Sequence, residues 1–325
     1  MTPSRHETDL DKRGGSGETS GDEVLTGLIG QLGSDALRYI PAVIVPAGLS
    51  ILHFSIFTRV FDPGPYGQYS LVYAVAAIAT SVLAGWLQQG VLRYLPRYRQ
   101  EGRVPEFHAK VRVFVWLVAL LVLVVALAAH WFVRPLLGEY ARYYFPALVW
   151  VIAWLFFFVQ NHALRADLQS ARFARYQILY AVGRLLFSLG FVYLVSRDVM
   201  GLIVGATVAY LVLLWPMQVE LGLMRRSGGR RFRIDLPLLR EFVRYGFPLI
   251  GWVLGVKVLD LSDRFIIELF RDSEEVGIYS ANFNLVSMGI LFVATPLLSA
   301  ALPLIVNAWE EGHRSRRRFR WSRSP

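Results

Sequence analysis

The chain has 325 residues, 55% of them hydrophobic, with a mean hydropathy of +0.43 and a formal charge of +10. It contains no cysteine, which excludes a disulfide framework, an iron–sulfur cluster and a Cys-based zinc site. Its charges gather in short runs between long apolar stretches, a membrane pattern rather than that of an evenly solvated domain.

Residues 1–38 are too polar and too long for a signal-peptide n-region, with Arg5, Asp9, Asp11, Lys12 and Arg13 ahead of a Gly/Ser-rich run. They read as a disordered cytoplasmic tail. Apolar runs then fall at 40–61, 69–91, 113–133, 147–162, 177–195, 200–219, 245–270 and 276–308. A helix needs about 20 apolar residues to cross about 30 Å of hydrocarbon, so each run predicts a span. Breakers such as Asp62-Pro63-Gly64-Pro65 and Ser227-Gly228-Gly229 lie between them. The expected fold class is an all-α integral membrane protein of about eight transmembrane helices. Residues 39–222 form a six-helix lobe, 223–244 a basic cytoplasmic linker, 245–309 the first two helices of a second lobe, and 310–325 a basic tail.

The placement of Lys and Arg predicts orientation, because short loops rich in them stay cytoplasmic. With both termini inside, 26 of these residues fall on the cytoplasmic side and 5 (Arg59, Arg134, Arg142, Arg197 and Arg271) on the other. Basic loops held beside anionic lipid account for the net charge, so the sequence predicts membrane lipids as partners and no nucleic acid.

One internal match stands out: Gly67-Gln68-Tyr69-Ser70 recurs as Gly277-Ile278-Tyr279-Ser280. Each copy opens a helix after an outer loop, and an aromatic-ended helix precedes each, at Phe61 and Phe270. Six predicted helices separate the copies, so both enter the membrane in the same direction as a parallel repeat.

Phe57-Thr58-Arg59-Val60-Phe61, Tyr66-Gly67-Gln68-Tyr69-Ser70, Tyr245-Gly246-Phe247-Pro248-Leu249, Ser262-Asp263-Arg264-Phe265-Ile266-Ile267 and Val276-Gly277-Ile278-Tyr279-Ser280 resemble the Wzx-type polysaccharide flippases. These belong to the multidrug/oligosaccharidyl-lipid/polysaccharide superfamily. The resemblance implies a protein of the cytoplasmic (inner) membrane that translocates polyprenyl-diphosphate-linked oligosaccharide by alternating access, with no covalent chemistry and no cofactor. It also implies two six-helix lobes around a central cavity. Where such proteins continue into a ninth helix, this sequence has the arginine-dense segment 312–325, which reads as a truncated or frameshifted product or as a chain completed by a second one.

Ionisable groups within spans are the natural site candidates. Lys257, Asp260 and Arg264 recur at i, i+3 and i+7, with Asp263 beside them; the stripe either faces a ligand path or neutralises itself as a structural network. Arg184 has no acidic neighbour on its own helix, so it either meets an anionic ligand or bonds across helices, for instance to Asn161. Arg59 either meets a ligand near the outer mouth or snorkels to the interface. His53 and His162 stand alone, without a second ligand at metal spacing, and no metal site is expected. Two other functions stay open. A drug or cation antiporter of the same superfamily needs a deep carboxylate in the first lobe, where none is evident. A membrane glycosyltransferase or acyltransferase needs clustered acid/base groups, whereas Glu139 and Asp198 look solitary.

Overall fold

A backbone in hydrocarbon has to satisfy its own hydrogen bonds, and a helix does so within one segment. The computed structural model describes residues 44–167, 169–221, 234–290 and 294, and among these every α-helix coincides with a predicted apolar run. The helices are α1 (Ile44–Val60), α2 (Pro63–Gln100), α3 (Val104–Leu137), α4 (Tyr144–Ala166), α5 (Ser170–Gly190), α6 (Met200–Glu220), α7 (Leu236–Phe270) and α8 (residues 273–290). A 3₁₀ turn, Gly138–Tyr143, joins α3 to α4, and a π turn, Phe191–Val195, follows α5. The predicted tails 1–38 and 310–325, the linker as far as residue 233 and most of the eighth run beyond residue 290 lie outside the described residues.

Several helices overrun their apolar cores. The 38 residues of α2 span about 57 Å at 1.5 Å per residue, against about 30 Å of hydrocarbon. Its last turns carry Arg93, Arg97 and Arg99, and Gly102, with φ of 69°, ends the run. The expected linker stops early, because α7 starts at Leu236 and not at residue 245. Asp235 caps that helix by accepting the Leu238 N–H at 3.0 Å. Leu238 and Phe242, one turn apart, are buried and extend the helix as an amphipathic foot.

Helix α2 runs antiparallel to α7. Gly90 lies under the Phe242 ring, Gly246 against the Trp86 backbone, Ala77 in a small cluster with Leu261, and Ser70 beside Arg264. Small residues at these crossings bring the backbones close, which is how helices associate where lipid is as apolar as leucine. Leu87, Val91, Leu95, Phe107, Phe114, Leu155 and Phe242 form the main core at one end of the bundle. We refer to this end, which carries the α2–α3 connection, as the basic end; the opposite end, with the α1–α2 and α7–α8 connections, is the turn end.

The face of α3 bearing Trp116, Leu120, Leu121, Val124, Val125 and Leu127 is exposed. An apolar surface that continuous faces lipid, not water. Hydroxyls on such helices bond back to their own backbone, as Ser81 does to the Ala77 carbonyl at 2.8 Å and Thr207 to that of Ile203 at 2.7 Å.

Candidate functional site

The repeated motif marks a physical crossing. At the turn end the first turns of α2 and α8 pack so closely that a methyl on Gly67 would collide with the Ser273 carbonyl oxygen, and one on Gly277 with the Pro63 carbonyl oxygen. The contacts are reciprocal, because Pro63 and Ser273 occupy equivalent positions ahead of the two motif copies. On the local two-fold between them, the Ser70 hydroxyl donates to that of Ser280 at 2.7 Å, 210 residues away.

Arg264 is 3% exposed and braces this crossing. Its Nε donates to Ser70 Oγ at 3.1 Å, Nη1 to the Asp260 carbonyl at 3.0 Å and Nη2 to Asn284 Oδ1 at 3.2 Å, while the guanidinium lies 5.2 Å from the Phe283 ring centre. Each nitrogen of the fork thus donates within the fold. Lys257 and Asp260 make an i, i+3 pair at 3.9 Å on a largely exposed stretch of the same helix. The stripe seen in the sequence therefore divides into an exposed neutral pair and a buried brace. Asp263, beside it, accepts from the Tyr279 hydroxyl at 2.6 Å.

Arg184 lies elsewhere, in a cavity of about 210 Å³ between α1 and α5. Two helical stripes face each other there. Pro46, Leu49, Ser50 and His53 come from α1, and Gln177, Tyr180, Ala181 and Arg184 from α5, each at i, i+3, i+4, i+7 spacing. Arg184 Nη2 donates to the Tyr69 hydroxyl at 3.3 Å and not to Asn161. Its Nε, shielded from solvent, has no hydrogen-bond partner among the described residues, and neither has Nε2 of His53, which is 5% exposed. The His53 ring is held 4.6 Å from that of Phe57. Behind Arg184 a wall of rings runs from α2 through α4 and α6 to α5: Tyr69 on Trp150, Trp150 on Trp154, Trp154 on Tyr210, and Tyr210 on Tyr180 at 4.1 Å. This wall fixes the helix carrying Arg184 against its neighbours.

His53 read as isolated because its neighbour is on another helix. The available signal was polar residues sharing one helix face, Ser50 with His53 at i, i+3 and Gln177 with Arg184 at i, i+7. Glu139 and Asp198 are likewise not solitary. Gln68 donates to Glu139 at 3.1 Å and accepts from Arg142 at 2.9 Å, and Arg142 pairs with Asp198 at 3.4 Å, so one network ties the motif to the α3–α4 and α5–α6 connections. Arg59 is exposed near the turn end of α1. Among the described residues there is no group of three or more His, Cys, Asp or Glu side chains placed to hold a metal ion.

Long apolar helices, lipid-facing surfaces and self-satisfied hydroxyls define a multi-pass, all-α membrane protein. Residues 32–309 match the family model described as polysaccharide biosynthesis protein, and the chain belongs to that family, the Wzx-type flippases. Comparison with curated protein sequences gave no match.

Solved structures share the fold. One named protein A superimposes with a TM-score of 0.67 at 19% identity, over 82% of this chain and 62% of its own. The MATE multidrug transporter DinF-BH gives 0.64 at 17% identity over the same shares. An outward-facing multidrug resistance MATE transporter of the MOP superfamily gives 0.54 at 15%, over 80% of this chain and 61% of that one. The chain thus spans about six-tenths of the length of the structures it matches. Its family and these MATE neighbours are membrane transporters.

Proposed function

We propose that this chain moves a polyprenyl-diphosphate-linked oligosaccharide from the inner to the outer leaflet of the cytoplasmic membrane by alternating access, as part of polysaccharide biosynthesis. The observation that carries the reading is the α2–α8 crossing, where equivalent turns of two repeat units meet around one serine pair. Backbones that touch through glycine, joined by a few hydrogen bonds at Ser70, Ser280 and Arg264, can part and re-form as lobes rock. Residues 39–222 supply the first lobe, and α7 and α8 begin the second, completed in the same polypeptide or by a second chain. The basic end faces the cytoplasm with both termini, as the bias of 26 Lys and Arg against 5 predicts. The glycan head passes between the lobes while the polyprenyl tail stays in lipid. Arg184 and Arg59 are the ligand contacts on this reading, with the Lys257–Asp260 pair a neutral part of the path.

The absence of cysteine makes the test direct. In a strain lacking its polysaccharide flippase, the chain, co-expressed where needed with the chain that completes the second lobe, is expected to restore surface glycan. The double variant Ser70→Cys, Ser280→Cys should restore it under reducing conditions and lose it on oxidation, which would lock the crossing. Failure of the unmodified chain to restore glycan, or efflux of cationic dyes in its place, overturns the reading.

A further inference from the structure

Helix α3 leaves the bundle halfway along its length: its buried positions end at Ala119, and those from Leu120 to Leu137 are all at least partly open. Where it parts from its neighbours, a cleft of about 650 Å³ opens between α2, α3, α4 and α7, well within the size of a small-ligand site. Leu71 and Val75 of α2, Val122 of α3, Leu148 of α4 and Phe265 of α7 make aliphatic and aromatic walls. The Tyr144 hydroxyl donates to the Ala126 carbonyl at 2.7 Å, which pins α3 to α4 and makes the gap part of the fold. Leu121 and Val125, next to the lining residues Val122 and Ala126, are exposed apolar side chains, so the mouth opens to hydrocarbon and not to water. The lining holds one charged side chain, Glu268, and no Lys, Arg or His. Glu268 Oε1 accepts from the hydroxyls of Tyr140 and Ser273. Its Oε2 is shielded from solvent and has no hydrogen-bond partner among the described residues. The three tyrosine hydroxyls of the lining are already engaged, Tyr140 on Glu268, Tyr143 on Gln68 and Tyr144 on Ala126. The cleft therefore presents an anionic acceptor that its own walls do not satisfy, and a shielded acceptor costs free energy until a donor reaches it.

We propose that this cleft is a site for a membrane lipid whose headgroup ends in a primary ammonium, with one acyl chain along the apolar walls and the ammonium on Glu268 Oε2. An ammonium brings both the missing donors and the counter-charge. A bilayer lipid brings them at the right depth, because Tyr140, Tyr143 and Tyr144 mark the headgroup level at the turn end and the walls run inward from there. Recognition is by the amine. A quaternary headgroup carries the same charge without an N–H to donate, and an anionic headgroup is repelled by the carboxylate. The site does not depend on glycan translocation. A chain that restores surface glycan but shows no preference for the amine would sink the inference and leave the proposed function standing.

The test places the full chain in nanodiscs of equal parts phosphatidylethanolamine and phosphatidylcholine with identical acyl chains, and counts the lipids it retains by native mass spectrometry. The two lipids share phosphate, glycerol and chains, so any preference reads the amine alone. The parent should retain phosphatidylethanolamine over phosphatidylcholine by at least about threefold, as expected for a charge-assisted contact in competition with bulk lipid. Glu268→Gln keeps an acceptor for Tyr140 and Ser273, so the protein should melt near the parent while the preference falls to parity. Val122→Trp fills the cleft from its lipid side and should reduce retention of both lipids. Equal retention of the two lipids by the parent, a preference that Glu268→Gln leaves intact, or retention that Val122→Trp leaves undiminished overturns the assignment.

Discussion

The two copies of the repeated motif share a scaffold and differ in their chemistry. Their glycines make equivalent backbone contacts and their serines bond to each other, so these positions are set by the crossing. The tyrosine between them is free to vary in role. The Tyr69 hydroxyl accepts from a cation, Arg184, in the interior of the first six helices, whereas Tyr279 donates to an anion, Asp263, on α7. A repeat thus conserves what builds the interface and lets each side develop its own electrostatics. The aromatic hydroxyl serves both because it donates and accepts.

The sharpest way to break this comparison is to put a methyl group on each glycine. Gly67→Ala and Gly277→Ala each drive a carbon into a backbone carbonyl, which no rotamer change relieves. Overpacking costs about 1–3 kcal/mol and more where backbone must move, so each variant should lose about 3 kcal/mol or fail to accumulate. Melting followed by size-exclusion chromatography in detergent measures it. Equal losses support a two-fold crossing. A large loss at one glycine and none at the other would mean that the motif copies are not structural equivalents.

Next in size is the brace. Arg264→Gln removes a buried cation that makes three hydrogen bonds, to Ser70, Asn284 and the Asp260 carbonyl. Hydrogen bonds to charged groups contribute about 1.5–3 kcal/mol each, with losses that do not add fully, so destabilisation of about 2–3 kcal/mol is expected. Ser70→Ala in the same background should cost less than it does in the parent, since only its bond to Ser280 is left to lose. A full additional loss in that double-mutant cycle would show that Arg264 does not act through the crossing.

The tyrosines sharpen the comparison further. Tyr279→Phe removes one bond of 2.6 Å to a partly exposed carboxylate and should cost about 1 kcal/mol. Tyr69→Phe strips Arg184 of its one hydrogen bond among the described residues, and should cost about 1–2 kcal/mol. The reverse order of melting temperatures would mean that Arg184 does not rely on Tyr69.

Much of this architecture is legible in the amino-acid order, and the gaps have physical causes. Apolar runs report where hydrocarbon lies, which is why each α-helix was foreseen and why their ends were not. Helix α7 extends back to Leu236 because Asp235 caps it and Phe242 finds a core, neither of which hydropathy registers. The motif match pointed to a repeat, yet the Ser70–Ser280 bond depends on how two distant helices cross. Pairing along one helix could be read, as Lys257 and Asp260 show. Pairing across helices could not: the spacing of Arg264 suggested a common face with Lys257, and the crossing turned its side chain inward. For the same reason His53 and Arg184, 131 positions apart in the chain, could not be recognised as neighbours.

The smallest expected effect contrasts the two ends of the bundle. Where the turn end closes on backbone, the basic end closes on ion pairs. Lys110 contacts both Glu106 and Asp235 at 2.9 Å, and Arg103 holds Glu106 from the other side at 2.9 Å, linking the polar start of α3 to the cap of α7. Hydrogen bonds from Arg103 and then Lys110 bring the Glu106 carboxyl down to about 2. Burial raises that of Asp235, but the Lys110 ammonium and the Leu238 N–H outweigh it and leave a net lowering. Carboxyls with depressed folded values stabilise the fold above their unfolded values, near about 4. That contribution disappears as the pH falls from there towards about 2. The melting temperature should therefore hold between neutral pH and about pH 5 and drop below about pH 4, by no more than the roughly 1 kcal/mol that half-exposed pairs provide. Lys110→Met should flatten that drop and leave the losses in the glycine variants unchanged. An acid transition of undiminished size in Lys110→Met would mean that carboxylates elsewhere control it and that these ion pairs do not hold the two helices together.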